Sequence, residues 1–168
     1  MLSNTYLFYR KGRSGIVIDA KPWTTSQFTK RRPRDIVVEC AVGEKEGVVT
    51  FELMDSEGVG ETDRVAGMGV PGESDRKPDH TIQVECKRHS AILAQCLPPR
   101  QSIDFLTVDC EGNDLGVLRS NDWNRYRPRV VAVEDWDQES VSPICCYLSD
   151  QGYSLVITSK NTRLFSAG

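Results

Sequence analysis

Two short apolar runs, each ending in carboxylates, constrain this chain more than any other feature. Within SIDFLTVDCEGNDLGVLRSNDWNRYRPRVVAVEDWD (residues 102–137), Ile103, Phe105, Leu106 and Val108 form the first run and Val130 to Val133 the second. Runs with so few polar breaks mark strands buried on both faces. Asp109, Glu111 and Gly112 follow the first; Glu134, Asp135 and Asp137 follow the second; Leu115, Val117 and Leu118 lie between them at helical spacing. The stretch reads as strand, acidic turn, helix, strand. In an open α/β sheet, ligands bind outside the carboxyl ends of parallel strands. Two such ends rich in carboxylates point to a site. The plainer reading, that these acids solvate loop ends, stays open at this point.

The rest of the chain is compatible with one domain over residues 1–168. A length of 168 residues is enough to bury a core, and 39% hydrophobic with 27% charged residues is ordinary for a globular protein. The 21 basic and 24 acidic residues leave a net charge of −3, which supplies no general drive toward nucleic acid or an anionic membrane. The cluster Lys30, Arg31, Arg32, Arg34 is brief, lacks interleaved aromatics and reads as a solvated helix end. No apolar run approaches the roughly 20 residues of a membrane span, and the first residues lack the order of a signal peptide. The six cysteines form no CxxC pair, so free thiols in a reducing cytoplasm are expected rather than a zinc site.

Ahead of the acidic segment, residues 4–11 read as the end of a short helix and Ile16 to Ile18 as a strand ending at Asp19. Trp23 to Arg32 is the next helix, with Thr24 or Thr25 near its cap. Ile36 to Val42 and Val48 to Leu53 read as a hairpin around a turn with glycine at each end. Residues 55–79, rich in Gly, Asp, Glu and Pro, read as a long flexible surface loop. Thr81 to Cys86 is a strand and Ser90 to Leu97 a helix stopped by Pro98-Pro99. Ile144 to Gln151 is a last helix, and Tyr153 to Thr158 with Arg163 to Phe165 a closing hairpin. Alternating strands and helices followed by an antiparallel pair imply a doubly wound α/β sheet, which by itself names no function.

The stretch IDFLTVDCEGNDLGVLRSNDWNRYRPRVVAVE resembles the signature of the FkbM-type methyltransferases. The matching positions are Asp109, Glu111, Gly112, Asp114, Leu115, Val117, Leu118, Arg127, Pro128, Val130 and Glu134. The upstream SNTYLFYRKGRSGIVIDAKP and RRPRDIVVECAVGEKEGVVTF and the final GYSLVITSKNTRLF resemble the family as well, in the right order. The resemblance implies a Rossmann-like class I methyltransferase sheet, mostly parallel with a C-terminal antiparallel hairpin. It implies S-adenosyl-L-methionine as cofactor; a divalent cation held by Asp109 with Glu134 or Asp135 is the alternative use of these acids, not favoured, and no metal ligands are assigned. By the same resemblance, Asp19 takes the place of the acid that accepts from the cofactor ribose, with Ala20 beside it; a carboxylate can serve two vicinal hydroxyls. Cys40, Ala41 and Val42 take the place of the segment along the adenine, and Asp109 lies beside the methionine moiety.

The departure is at the start. The family's first strand and its glycine-containing acidic turn, which sit between the second and fourth strands, have no counterpart after Met1. The chain therefore reads as incomplete at the N-terminus, with strand 1 missing and cofactor binding weaker than in a full family member. Asp109, Glu111 and Glu134 are the candidate catalytic groups, since methyl transfer to a hydroxyl needs an aligned acceptor and a proton sink, and clustering raises carboxyl pKa values. Asp135 is a further candidate base. Trp136 is the better placed ring for stacking on an acceptor, Trp123 reads as packing, and His89 reads as a cap or surface residue. The resulting expectation is a cytoplasmic O-methyltransferase acting on a hydroxyl of a sugar, glycan or secondary metabolite. Its partners are a small-molecule or glycan acceptor and a second copy in a homodimer, without nucleic acid or membrane. The alternative is a catalytically silent methyltransferase remnant serving as a binding or assembly module.

Overall fold

The computed structural model describes residues 4–54, 63–69, 77–137 and 141–168. Helix α1 (Tyr6–Arg10) leads to β1 (Ile16–Asp19), α2 (Pro22–Arg31), β2 (Ile36–Glu39) and β3 (Ala41–Val42). Then come β4 (Gly47–Leu53), β5 (Arg64–Val65), β6 (His80–Lys87), α3 (His89–Cys96), β7 (Phe105–Val108) and α4 (Asp114–Arg119). The chain closes with β8 (Val130–Glu134), α5 (Pro143–Asp150), β9 (Tyr153–Ser159) and β10 (Thr162–Ala167).

The strands form three sheets: β1-β2, β7-β8-β10-β9 and β3-β6-β4-β5. The pairs β1·β2, β3·β6 and β7·β8 are parallel, whereas β8·β10, β9·β10, β4·β5 and β4·β6 are antiparallel. The fold is thus mixed α/β, and the expectation of a mostly parallel sheet is corrected. The expected hairpin of residues 36–42 with 48–53 is also absent from the described residues. The run breaks at Cys40, so that β2 joins β1 and β3 joins β6. The eight-residue β6 then lies between β3 and β4 and takes the ladder that the short turn suggested for them.

Helix α2 begins one residue earlier than expected, with Pro22 in its first turn and Lys21, not a threonine, at its cap. Residues 55–62 and 70–76 of the expected loop lie outside the described residues. Residues 63–69 carry β5, paired with Phe51 and Glu52 of β4. The closing hairpin and the helix before it are as read, with Ser142 capping α5 through Cys145 N–H (3.1 Å).

The main core gathers Val108, Val117, Leu118, Trp123, Val131, Val133, Ile144, Leu148, Tyr153 and Phe165 between the β7-β8-β10-β9 sheet and helices α4 and α5. Burying apolar side chains of this size contributes about 1.5–3 kcal/mol each before chain entropy is counted. Trp123 packs here, donating its Nε1–H to the Leu118 carbonyl (3.0 Å). A second core joins Ala20 and Ala41 to Phe51, Leu53 and Cys86.

In the basic cluster Lys30, Arg31 and Arg34 are exposed at and beyond the end of α2, as read, but Arg32 is not. Arg32 is buried, donates to Asp35 (2.6 Å) and Thr5 (2.9 Å), and stacks over Tyr9 and Phe28. Arg34 stacks over Tyr9 at 3.9 Å. These arginines hold α1 against the end of α2, while Phe8 of α1 meets Phe105 of β7 at 5.2 Å.

Candidate functional site

Parallel register explains how two carboxylates separated in sequence come to meet. Val108 of β7 pairs with Val133 of β8, so Asp109 and Glu134 are the next residues along neighbouring strands. One oxygen of each carboxyl group lies within 4.8 Å of one of the other. Burial pushes the Glu134 carboxyl up to about 7, and the charge of Asp109 adds to the rise. Trp136 opposes it by donating its Nε1–H to Glu134 Oε2 at 2.9 Å. Asp109 is exposed, so the pair has one member open to solvent and one half-buried.

Glu111 completes the cluster. One carboxylate oxygen each from Asp109, Glu111 and Glu134 lies within 4.8 Å of the others. Hard oxygens at that spacing are able to take a divalent cation. The raised pKa of Glu134 offers a different way of relieving the repulsion, protonation of that carboxyl.

The turn that presents Glu111 is built by Asp114, at the head of α4. Its two oxygens accept from Cys110 N–H (2.9 Å) and Gly112 N–H (3.1 Å). Burial raises the Asp114 carboxyl despite those hydrogen bonds. Glu111 and Gly112 take positive φ values of +49° and +98°. At Gly112 glycine is required, because a Cβ would stand 2.5 Å from the Gly69 carbonyl oxygen. Asn113 ties this turn to the neighbouring sheet by donating to the Val42 carbonyl (2.8 Å).

Asp19 ends β1 on the same rim. Its Oδ1 accepts from Lys21 N–H (2.8 Å), and burial raises its pKa. The Cys110 thiol is pushed up by burial and further by the charges of Asp114, Asp109 and Asp19, which places the ends of β1 and β7 in one electrostatic neighbourhood. Lys21 reaches over to Asp63 (2.7 Å), and Asp63 accepts from Met54 N–H (2.7 Å). The 63–69 segment thus lies against both halves of the rim, at Lys21 and at Gly112.

The remaining candidates are placed as follows. Ala20, Cys40 and Ala41 are buried, and the Cys40 N–H donates to the Asp19 carbonyl (3.1 Å). Burial pushes the Cys40 thiol up to about 11. Val42 is half-buried. The structure therefore brings Asp19, Asp109, Glu111 and Glu134 to one rim, while Ala20, Cys40 and Ala41 turn their side chains into the protein. Asp135 is turned inward too. It is buried with Arg163 (3.1 Å), accepts from the Ser142 hydroxyl, and fixes the chain that follows Glu134. His89 is buried rather than at the surface, and burial lowers its pKa to about 4.

Sequence reasoning missed the site roles of Asp114, Asn113, Asp63 and Gly69. Asp114 carried a signal, an acid at the head of a helical run. The others act through partners far along the chain, which no local pattern encodes.

The profile of the family described as Methyltransferase FkbM domain matches residues 1–155. The chain is also similar to Methyltransferase sdnD from Sordaria araneosa, with 37% identity over 82 residues, covering 44% of this chain and 32% of that protein. The matched region thus spans about a third of the length of that relative. No solved structure matches the chain. No helix among the described residues is long and apolar enough to cross a membrane.

Proposed function

The chain belongs to the FkbM methyltransferase domain family, and from that premise we propose that it is an S-adenosylmethionine-dependent O-methyltransferase with a Rossmann-like site, acting on a hydroxyl of a sugar, glycan or secondary metabolite. The observation that carries the reading is the Asp109–Glu134 pair, with Glu134 titrating at about 7. A general base is most effective when its pKa lies near the working pH.

The residues of the rim fit the cofactor in their chemistry. Asp19 is a strand-end carboxylate with Oδ1 held by Lys21, and its position on the Asp109 rim suits a vicinal diol at one end and a cationic amino acid moiety at the other. Cys40 and Ala41, with buried side chains, would line the base through their backbone, and Val42 through its half-buried side chain. S-adenosylmethionine, when bound, supplies an electrophilic methyl group on a sulfonium.

The chain's own groups do the rest. Asp109, exposed at the rim, orients the acceptor hydroxyl through a carboxylate oxygen. Glu134 Oε2 is held by Trp136, so the carboxylate is aimed while it takes up the hydroxyl proton. The charges of Asp109 and Asp114 oppose early loss of that proton, and Glu111 completes the carboxylate cluster beside them. Trp136 offers a ring edge to the acceptor.

The test is calorimetric titration of the chain with S-adenosylmethionine, followed by transfer of labelled methyl to a panel of sugars, glycans and phenolic or aliphatic alcohols. Binding that weakens at least tenfold in Asp19→Asn, with transfer abolished in Glu134→Gln, is the expected result. A chain that shows no binding at millimolar cofactor overturns the proposal.

A further inference from the structure

The overall charge of −3 conceals a division along the chain. Residues 1–34 carry eight basic residues and one acid, a net +7, and the other 134 carry thirteen basic residues and 23 acids, a net −10. The one acid, Asp19, lies at the far end of β1, on the rim. Six of the eight bases, Arg10, Lys11, Arg13, Lys30, Arg31 and Arg34, are exposed.

The fold draws these bases into one face at the heads of β1 and β2. Lys11 N–H donates to the Leu7 carbonyl (3.2 Å) and Arg13 N–H to the Phe8 carbonyl (3.1 Å), which folds the basic turn back on α1. Arg34 donates to the Tyr9 carbonyl (2.6 Å), and Ile36 N–H to the Gly15 carbonyl (2.9 Å), so the end of α2 and the head of β2 lie beside α1. Nearby carboxylates among the described residues do not cancel the charge. The Asp35 side chain is fully buried against Arg32, and Asp104, ahead of Phe105, faces Arg129 at 4.0 Å.

The same face is apolar. Tyr6 and Leu7 of α1 are 52% and 59% exposed, and Ile36 of β2 is 43% exposed. This mixture separates one kind of anionic partner from another. A nucleic acid backbone gives Leu7 and Ile36 nothing to pack against. A bilayer interface takes both parts, with anionic headgroups for the bases, the acyl boundary for the aliphatic side chains and tyrosine at the level between. The net −10 of the remaining chain fixes the approach, because an anionic plane attracts this pole and repels the rest.

We propose that the face built by Tyr6, Leu7, Arg10, Lys11, Arg13 and Arg34 docks the protein reversibly on an anionic lipid bilayer. The rim bearing Asp19, at the other end of β1, then points away from the membrane.

Co-sedimentation of the full chain with vesicles of phosphatidylcholine and phosphatidylserine in about a two-to-one ratio, beside vesicles of phosphatidylcholine alone, tests this. The wild type is expected to partition at least tenfold better onto the anionic vesicles and to be released as salt approaches about 1 M, where the Debye length is about 3 Å. Arg10→Glu with Lys11→Glu and Arg13→Glu is expected to lower the partition at least tenfold. Leu7→Ser, which keeps every charge, is expected to lower it several-fold. Lys45→Glu with Lys77→Glu and Lys160→Glu reverses as many exposed charges outside the face and is the control, expected to bind within about threefold of the wild type. Circular dichroism melting confirms that each variant is folded. No binding to the anionic vesicles, equal binding to the neutral ones, an equal loss in the control, or capture by a duplex oligonucleotide at lower concentration than by the vesicles each overturns the proposal.

Discussion

Asp109 and Glu134 each follow the last paired rung of two neighbouring parallel strands, and an oxygen of each carboxyl group lies within 4.8 Å of the other's. Because Glu134 is half-buried and faces a second charge, its proton leaves near pH 7. The rate of methyl transfer is therefore expected to rise with pH through about 7 and then level, as the base becomes free. Glu134→Gln should lower the rate by about 10²–10⁴-fold and remove that limb. The pH–rate profile of both proteins checks it.

Asp109→Asn removes the negative charge that helps hold the proton on Glu134. The limb should move to lower pH, while the rate at its plateau falls because the acceptor is less well oriented. A limb that stays at 7 would mean that burial alone sets it.

The same pair bears on stability. A carboxyl whose folded pKa is raised loses stability for the fold as pH rises above its unfolded value, since the unfolded chain releases the proton first. Glu134→Gln is thus expected to melt at a higher temperature than the wild type at pH 8 and to show little difference at pH 4. Thermal melts at the two values provide the measurement.

His89 works in the opposite direction. Its folded pKa of about 4 lies below the ordinary 6.5, because its ring is buried, and Nδ1 has no hydrogen-bond partner among the described residues. The unfolded chain takes up the proton first, so stability falls as pH drops from about 6.5 toward 4. The loss is of order 3 kcal/mol at the acid end. In His89→Gln the denaturant midpoint should lose that part of its pH dependence, whatever its value at pH 7.

Arg163 and Asp135 form a buried ion pair behind Glu134. Removing one partner, as in Asp135→Asn, leaves an unbalanced buried charge and should cost about 3–5 kcal/mol. Urea denaturation of Asp135→Asn, Arg163→Met and the double variant forms the cycle. The double variant is expected to be more stable than the sum of the two losses predicts.

How much of this was legible follows from where each interaction lies in the chain. The meeting of Asp109, Glu111 and Glu134 was readable, because strand ends follow apolar runs and parallel register aligns β7 with β8. The α5–β9–β10 ending was readable for the same local reasons, a proline and serine cap and a tight turn at Lys160-Asn161. The sheet pairing was not. A glycine-flanked turn before Val48 suggested a hairpin, yet the longer β6, whose sequence lies some thirty residues on, offered more rungs. Arg32 and His89 were misread because their burial depends on Thr5, Tyr9 and Ser120, which are distant in sequence.

Asp19 and Asp109 stand on different sheets that share no rung among the described residues. Their spacing is set by side-chain rivets, Phe8 on Phe105, Asn4 to Thr107 at 3.4 Å, Lys21 to Asp63, and the close fit of Gly112 on Gly69. The aperture between the two carboxylates is consequently adjustable from outside. Substitutions at the rivets are expected to shift one carboxylate against the other while leaving both acids untouched.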